Sequence, residues 1–411
     1  MNRLFKSCLT VFVCLVCLTV SSYAEVPHKK MLDDKLRNIP QGNSLIFITD
    51  SHWSANSGHS IEQMKYVREK TGISTIVFAG DSYDYGKDKE DAIRQLKLYT
   101  DSCVEAFGKD FNYIIGNHDA NSWPVGKGMS TLEAALVPDS VVFSVTQSHI
   151  KDDVVYDQVG LKAVQSFPFE SEAQRKEAMA WMKMHWYRDI PSLKVRIIAL
   201  ETGNRGYTAR TFANSAEALF LVQTDFVAKA LKSMPAGYDA LIVGHQMGFY
   251  KGDRKDGTDI AGLRQMMEVV SAYGTSSKVK VSATGTPLSR HPFMKAFWKA
   301  AGSHEYDFST VAKPGKTVLL GGHFHVDAFW LASPSEDGLK VEMADPKKHK
   351  TIRKGEVMCL WMNRDVCRGK KEPQMQRGTP TEQSFTVVTF GKDKVTFTRF
   401  GAGNDYNFKI K

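Results

Sequence analysis

Short apolar runs and helical repeats alternate along the first part of this sequence. The run Ser-Leu-Ile-Phe-Ile-Thr begins at Ser44 and leads to the polar Asp50, a pattern typical of a buried strand that ends in a loop. Ser60 and Gln63 have the spacing of a helical capping box. Apolar residues then recur at helical spacing at Ile61, Met64 and Val67. The pattern predicts a strand, a loop and a helix.

The same alternation continues downstream. It predicts helices at 88–107 and 216–231, and strands at 74–79, 111–115, 194–200 and 240–243. Strands and helices that alternate in this way form parallel sheets covered by helices. The sequence therefore predicts an α/β fold.

The last part of the chain has a different pattern. Strands are predicted there without long helices between them, at 317–320, 326–331, 384–390 and 394–400. The last two should form a hairpin around Gly391, Lys392 and Asp393. Alternating residues suggest that this hairpin has one half-buried face, made by Phe385, Val387, Thr389, Val395, Phe397 and Arg399.

These patterns suggest one large domain over residues 44–411, preceded by an N-terminal extension at 25–43. Two stretches separate the recognisable strands, at about 120–192 and 247–313. We expect both stretches to be helical or loop insertions that lie above the site and influence specificity.

Residues 1–24 resemble an export signal. Arg3 and Lys6 are followed by an apolar run from Leu9 to Val20, and small residues precede a cleavage point after Ala24. The run is shorter than the roughly 20 apolar residues that span a bilayer, so we expect no stable membrane span. The predicted location is secreted or periplasmic, with lipid attachment at Cys14 or Cys17 as a minority alternative.

Composition adds few constraints. Hydrophobic residues make up 42% and charged residues 24% of the chain, which is ordinary globular usage and argues against a disordered protein. The net charge of +9 falls to +7 when Arg3 and Lys6 are removed, and the charges are scattered. Nucleic-acid binding is therefore compatible with the sequence but not indicated by it.

Three cysteines remain after residue 24, namely Cys103, Cys359 and Cys367. In an oxidising compartment Cys359 and Cys367 are close enough in sequence to close a small loop. Cys103 would then be a buried free thiol in a helix.

Five short polar patterns follow predicted strands. They are Asp50-Ser51-His52, Gly80-Asp81-Ser82-Tyr83-Asp84, Gly116-Asn117-His118-Asp119, Gly244-His245 and Gly322-His323-Phe324-His325. Glycine lets the chain turn sharply where a strand ends, and the next polar side chain then points into a shared crevice. Aspartate, histidine and asparagine without cysteine suit manganese, iron, zinc or cobalt. Two divalent ions balanced by only two carboxylates would leave positive charge for a phosphate, with metal-bound hydroxide as the nucleophile.

Together the five patterns, in this order, resemble the calcineurin-like metallophosphoesterase superfamily, which also includes purple acid phosphatases and nucleases of DNA double-strand-break repair. The resemblance spans residues 50–325 and implies a four-layer α/β/β/α sandwich. It also implies two metal sites that share Asp81. One metal would be held by Asp50, His52, Asp81 and His325, and the other by Asp81, Asn117, His245 and His323.

The resemblance further implies that His118 protonates the leaving oxygen, with Asp119 orienting it. Purple acid phosphatases have a metal-binding tyrosine where this chain has Asp84, so a purple iron site is not expected. Two roles stay open for Asp84: it is either a hydrogen-bond partner of a ligand histidine or a carboxylate that caps its own loop. We interpret Tyr83 and Tyr85 as wall or core aromatics and Trp53 as a packing residue, and Arg205, at another strand end, as a surface turn residue.

The expected function is hydrolysis of a phosphoester on a phosphorylated small molecule or nucleotide. Two alternatives stay open. One is a phosphodiesterase or nuclease of the same fold, and the other is a protein that uses the metals only to bind an anion.

Overall fold

The computed structural model describes residues 26–53, 57–121, 135–203, 208, 216–247, 261–283, 292–336, 338–372 and 374–411. The predicted export signal lies outside these residues, as does Arg205. None of the described helices has the length and apolar character needed to cross a bilayer.

The first sheet has seven strands in the order β13-β19-β18-β17-β1-β2-β3. Its parallel part joins β1 (Asn43–Ile48), β2 (Ile76–Phe78) and β3 (Phe111–Tyr113). Its antiparallel part contains β17 (Ser384–Phe390), β18 (Lys394–Gly401) and β19 (Tyr406–Ile410), and β13 (Thr351–Ile352) pairs with β19 at the edge.

The second sheet has eight strands in the order β12-β11-β14-β10-β7-β6-β5-β4. Its parallel centre consists of β6 (Val195–Leu200), β7 (Asp239–Gly244), β10 (Thr317–Gly321) and β14 (Val357–Trp361). Antiparallel strands complete its edges: β4 (Val155–Tyr156), β5 (Trp186–Ile190), β11 (Ala328–Ser335) and β12 (Gly338–Met343). Two small hairpins pair β8 (Lys278–Lys280) with β9 (Glu305–Asp307), and β15 (Lys371–Glu372) with β16 (Met375–Gln376).

Nine α-helices are present among the described residues. They are α1 (Lys29–Leu36), α2 (Ser57–Thr71), α3 (Lys89–Phe107), α4 (Asp139–Gln147), α5 (Gln158–Ser166), α6 (Glu172–Met182), α7 (Ala216–Lys232), α8 (Ala261–Thr275) and α9 (Pro292–Ala300). The carboxylate of Asp88 accepts a hydrogen bond from the amide of Asp91 and so caps α3, which explains why this helix begins one residue after Asp88.

Alternating side chains of β1 define four layers. Leu45 and Phe47 pack between the two sheets, against residues such as Leu241 of β7. Ile46 and Ile48 point the other way and pack against α2 and α3. The outer face of the second sheet packs against α7 and α8. Successive residues of a strand point to opposite faces, so a strand covered on both sides must be apolar throughout. The predicted four-layer α/β/β/α sandwich is confirmed.

The C-terminal hairpin forms as predicted, but the prediction that it has one half-buried face is wrong. Every residue of β17 is buried. Phe385 and Val387 pack toward the helices, whereas Val395 and Phe397 of β18 pack between the sheets. The strand is internal to a covered sheet, so neither of its faces meets solvent.

The capping-box interpretation is also wrong. Helix α2 begins at Ser57, so Ser60 lies inside it. The Ser60 hydroxyl donates to the carboxylate of Asp365 at 2.5 Å, and the Gln63 amide donates to Oε1 of Gln383 at 2.7 Å. Both side chains therefore form hydrogen bonds with the C-terminal part of the chain, more than 300 positions away in sequence.

The three cysteines are free and buried, so Cys359 and Cys367 do not pair. Cys359, on β14, packs in the layer between the second sheet and its helices, whereas Cys367 packs with Met375 and Ala402. The two cysteines therefore lie in different hydrophobic clusters. Cys103 is a buried free thiol of α3, as expected, and burial raises its pKa well above the usual value.

Candidate metal centre

The predicted site residues follow the carboxyl ends of five strands, three in the first sheet (β1, β2, β3) and two in the second (β7, β10). Hydrogen bonds join their loops. The Asp50 amide donates to the Gly80 carbonyl, and the Gly322 amide donates to the His245 carbonyl, both at 2.9 Å. The His323 amide donates to the Asp50 carboxylate, also at 2.9 Å. The five loops thus converge where the two sheets meet.

Five of these residues have a left-handed backbone. The φ angles are 55° at Asp50, 44° at His52, 61° at Asp81, 74° at His323 and 57° at His325. Such angles are uncommon for residues other than glycine and cost about 1–3 kcal/mol each when the surroundings enforce them. Five of the eleven described residues other than glycine with positive φ lie in these loops, as expected where a site holds its side chains in fixed positions.

Two glycines let the loops after β2 and β3 touch. A Cβ on Gly80 would lie 2.3 Å from the amide nitrogen of Gly116. A Cβ on Gly116 would lie 2.2 Å from Oδ1 of Asp81. Larger residues at these positions would push Asp81 away from the centre, so close backbone approach explains both glycines.

One group of candidate ligands consists of Asp50, His52 and His325. Nε2 of His325 lies 3.2 Å from Oδ1 of Asp50 and 2.9 Å from Nε2 of His52. Two ring nitrogens at that separation can share only one proton, whereas a cation could accept both lone pairs. The donor set therefore fits a divalent ion.

A second group consists of Asp81, His245 and His323. Nε2 of His245 lies 3.0 Å from Oδ2 of Asp81 and 3.1 Å from Oδ1 of Asn117. Nδ1 of His245 lies 2.6 Å from the carbonyl oxygen of Ala79, which orients the ring so that Nε2 faces the centre. This mixed oxygen and nitrogen set also fits a divalent ion.

Asp50 and Asp81 are buried anions that need positive charge nearby. Burial alone would raise the pKa of Asp50, but His245 and His325 hold it below its usual range. Burial would likewise raise the pKa of Asp81, and His245 and His118 lower it. Burial lowers the pKa of His245, yet the two carboxylates raise it to about 9. The charges of the site therefore favour a cation between the carboxylates.

His118 lies at the edge of this centre, and its side chain is 12% exposed. Its Nε2 is 3.7 Å from Oδ2 of Asp81 and 3.3 Å from the hydroxyl of Tyr85, whose ring packs against the imidazole. Its Nδ1 is in contact with the carbonyl oxygen of Asp84. Two neighbouring residues thus fix the ring and leave Nε2 directed toward the centre.

The Asp119 carboxylate joins the loops after β2 and β3 through hydrogen bonds. It accepts hydrogen bonds from the amides of Gly116 and Ser82 and from the hydroxyl of Tyr113, at 2.7, 2.9 and 2.9 Å. Burial raises its pKa. These contacts hold the loops after β2 and β3 together, and through them Asp119 can position His118 without touching its ring nitrogens.

Asp84 lies behind His52. Its Oδ1 is 3.0 Å from Nδ1 of His52, and its Oδ2 forms an ion pair with Arg368. The first of the two roles left open by the sequence, a partner of a ligand histidine, is the one that fits these distances. Tyr83 is fully buried in the core, and Trp53 packs edge-on against Tyr99.

Sequence reasoning missed two residues near the centre, Gln246 and Arg364. Gln246 lies 3.3 Å from Nε2 of His323. Tyr85, which the sequence suggested as a wall or core aromatic, contacts His118. Nη1 of Arg364 lies 3.4 Å from Nδ1 of His325. The signal available for Arg364 was the apolar run of β14, which ends, like the other five strands, in a polar loop.

Comparison with known proteins gives one family. Residues 44–248 match the model of the calcineurin-like phosphoesterase family, and His323 and His325 lie beyond the matched segment. None of the curated proteins matches the sequence. Among solved structures, the chain is similar to a dimetal phosphatase from Danio rerio, with 9% identity, 90% of this chain and 100% of that chain covered, and a TM-score of 0.40. Through residues 44–248, the chain belongs to the calcineurin-like phosphoesterase superfamily.

Proposed function

We propose that this protein hydrolyses phosphoesters at a centre of two divalent metal ions. The observation that carries the proposal is the position of Asp81, which lies with His245 and His323 on one side and with His52 and His118 on the other. We assign His52, His245 and His323 as ligands and His118 as the proton donor, and a carboxylate placed between these ligands is suited to link two ions. Membership of the family supports the same reaction class.

In this proposal Asp50, His52 and His325 would hold one ion, Asn117, His245 and His323 would hold the other, and Asp81 would contribute to both sites. The ions, when bound, supply positive charge for the phosphoryl oxygens and an activated water as the nucleophile. Manganese, iron, zinc and cobalt all suit these ligands.

His118 acts as the general acid. Its Nε2 lies 3.7 Å from Oδ2 of Asp81 at the edge of the centre, and from that position it would protonate the leaving oxygen. Tyr85 and the Asp84 carbonyl keep the ring in one orientation, which lowers the cost of aligning the proton donor.

The substrates of the proposed reaction are phosphorylated small molecules or nucleotides. We further propose that the protein is exported, because residues 1–24 have the charge and apolar pattern of a signal peptide.

The test is a panel of p-nitrophenyl phosphate, bis-p-nitrophenyl phosphate and nucleotides, assayed with purified protein loaded separately with each of the four metals. Metal-dependent release of the leaving group is expected. Full metal occupancy without turnover of any ester would contradict hydrolysis and favour anion binding as the function.

A further inference from the structure

Eight lysines lie together at the edge of the first sheet, on β13, β18 and β19 and the turns beside them. Lys394 is half-buried and the others are exposed, and we call the group the basic face: Lys347, Lys348, Lys350, Lys354, Lys392, Lys394, Lys409 and Lys411. Backbone hydrogen bonds join its three segments. The Lys409 amide donates to the Lys350 carbonyl and the Ile410 amide donates to the Asp393 carbonyl, both at 2.8 Å. The fold thus gathers charges from three separate parts of the sequence.

The basic face holds most of the net charge of the protein. Its segments, residues 345–354, 391–394 and 407–411, contain the acidic residues Asp345 and Asp393, and Arg353 is paired with Glu356. The eight lysines against two aspartates therefore leave a net charge of +6, whereas residues 25–411 together carry +7. Among the described residues, none of the eight ammonium groups forms an ion pair. This concentration of charge creates a positive potential on one side of the molecule.

Two of these lysines lie directly opposite each other. Lys394 of β18 and Lys409 of β19 are cross-strand partners. Their neighbours Val395 and Phe408 pack between the two sheets, so both lysines point to the outer surface. Like charges directly opposite each other in an antiparallel pair destabilise the sheet. A negatively charged partner that covers both lysines would remove this repulsion.

The basic face is broad. Neighbouring strands lie about 4.8 Å apart, so the ammonium groups are spread over a surface rather than along a line. Lys347 and Lys350 also line a groove of about 550 Å³ together with Asn407. The carboxylate of Asp405 lines this groove as well, but it pairs with Lys35 at 2.8 Å. The groove has room for a phosphate headgroup.

The residue types favour a lipid surface over a nucleic acid. Lysine presents a strongly hydrated point charge, which suits attraction to a layer of anionic headgroups, whereas arginine gives the forked contacts typical of nucleic-acid recognition. The arginine of these segments, Arg353, is already paired with Glu356. Single-stranded nucleic acids also need aromatic side chains on which bases stack. Tyr406 and Phe408 of β19 are buried and do not offer such a platform.

The turn that carries Lys392 and Lys394 lies at the end of the first sheet remote from the metal centre. Phe390, which precedes this turn, pairs with Asn43, the first residue of β1. Asp50 follows the other end of β1, a strand of six residues. Such a strand is about 20 Å long. A partner bound to this turn would therefore leave the centre open to solvent.

We propose that the basic face binds the surface of a bilayer that contains anionic lipids. The attraction is electrostatic and holds the protein at the surface without a membrane-spanning segment. It needs no metal, so the inference goes beyond the proposed hydrolysis and does not depend on it.

The experiment measures sedimentation of the purified full chain with vesicles of phosphatidylcholine, with and without about 30% phosphatidylglycerol, at about 0.1 M salt. Attachment through residues 1–24 needs no anionic lipid and is measured by the vesicles of phosphatidylcholine alone. Lys350→Gln, Lys409→Gln and Lys411→Gln, combined in one variant, should lower the partition coefficient on anionic vesicles by about a hundredfold, because each lysine contributes about fivefold. Salt at about 1 M should release the parent protein, because it screens the charges.

The matched control combines Lys162→Gln, Lys295→Gln and Lys299→Gln. These lysines are exposed on α5 and α9, and within the described part of the chain they form no ion pair. The control therefore has the same net charge as the test variant, and it should bind anionic vesicles within about threefold of the parent. A second variant with Lys350→Arg, Lys409→Arg and Lys411→Arg keeps the charge and should bind like the parent. All variants should have the melting temperature of the parent.

Equal binding to both kinds of vesicle, or equal losses in the test and control variants, would overturn the inference. So would a parent protein that binds double-stranded DNA through these lysines but does not bind anionic vesicles, since the basic face would then be a nucleic-acid site. None of these results alters the proposed hydrolysis, which is measured on soluble esters without vesicles.

Discussion

Nδ1 of His52 lies 3.0 Å from Oδ1 of Asp84, and the two residues lie on loops that follow neighbouring parallel strands. Nε2 of the same ring faces His325. A carboxylate behind a metal-binding imidazole fixes the orientation of the ring and makes it a better ligand. In the proposed centre, Asp84 would therefore orient His52 without binding a metal itself.

Asp84→Asn should weaken metal binding by about tenfold to a hundredfold, the usual effect of removing such a partner. Calorimetric titration of the metal-free protein with Mn²⁺ measures this. Asp101→Asn is the control, because Asp101 is a largely exposed residue of α3 that pairs with Lys97. Unchanged affinity in Asp84→Asn would mean that the carboxylate has no influence on the ligand.

His118→Asn should leave metal content unchanged and lower kcat by about 10² to 10⁴, the range for loss of a general acid. Metal analysis and steady-state kinetics of the same preparation separate the two effects. The loss should be smaller for esters with good leaving groups, which need less protonation. A variant that kept full turnover on poor leaving groups would exclude His118 as the acid.

Asp81→Ala should empty both metal positions, because the carboxylate belongs to ligand groups on both sides of the centre. Elemental analysis after exhaustive dialysis is the measurement, with Asn117→Ala as a comparison that should deplete only one position. Two ions per chain in Asp81→Ala would disprove the bridging assignment.

Gly116→Ala should disrupt the centre, because the new Cβ would lie within 2.2 Å of Oδ1 of Asp81. We expect a large loss of metal affinity together with a lower melting temperature. Gly58→Ala is the matched control, since nothing lies within 4 Å of a Cβ at that position in α2. Alanine there should be neutral or slightly stabilising, because it favours helix more than glycine does. Similar behaviour of the two variants would refute the close-approach explanation.

His185 should make the fold sensitive to acid. It is fully buried between Trp181 and Phe226, and burial lowers its pKa from 6.5 to about 3. Between those values the unfolded chain binds more protons than the folded one, so the free energy of unfolding falls as the pH drops.

The expected slope from this one group is about 1.4 kcal/mol per pH unit. His185→Phe should remove that part of the slope, as measured by denaturant unfolding at several pH values between about 5 and 8. Parallel pH profiles of the variant and the parent would show that His185 is not the group responsible.

Much of the fold was predictable because its signals are local. A run of apolar residues that ends in glycine or aspartate identifies a strand and its loop without reference to any other part of the chain. For this reason the strands after which Asp50, Asp81 and His245 lie were predicted within a few residues of their observed bounds. The strand β14 was overlooked, although its apolar run is of the same kind.

Two of the wrong predictions concern which side chains contact each other. The spacing of Ser60 and Gln63 suggested a cap, and the spacing of Cys359 and Cys367 suggested a disulfide. In both cases the tertiary structure supplied other neighbours, since packing of the sheets decides which side chains meet.

The sequence by itself determined the strands that precede the candidate ligands, the polar residues at the ends of those strands and the types of ligand atom that they offer. Only the tertiary structure decided that His52 meets His325, 273 positions away, that Asp84 stands behind His52, and that Arg364 reaches the same place. The physical reason is that strand register and the packing of two sheets are non-local. They depend on the whole buried core, and no short segment of the sequence contains that information.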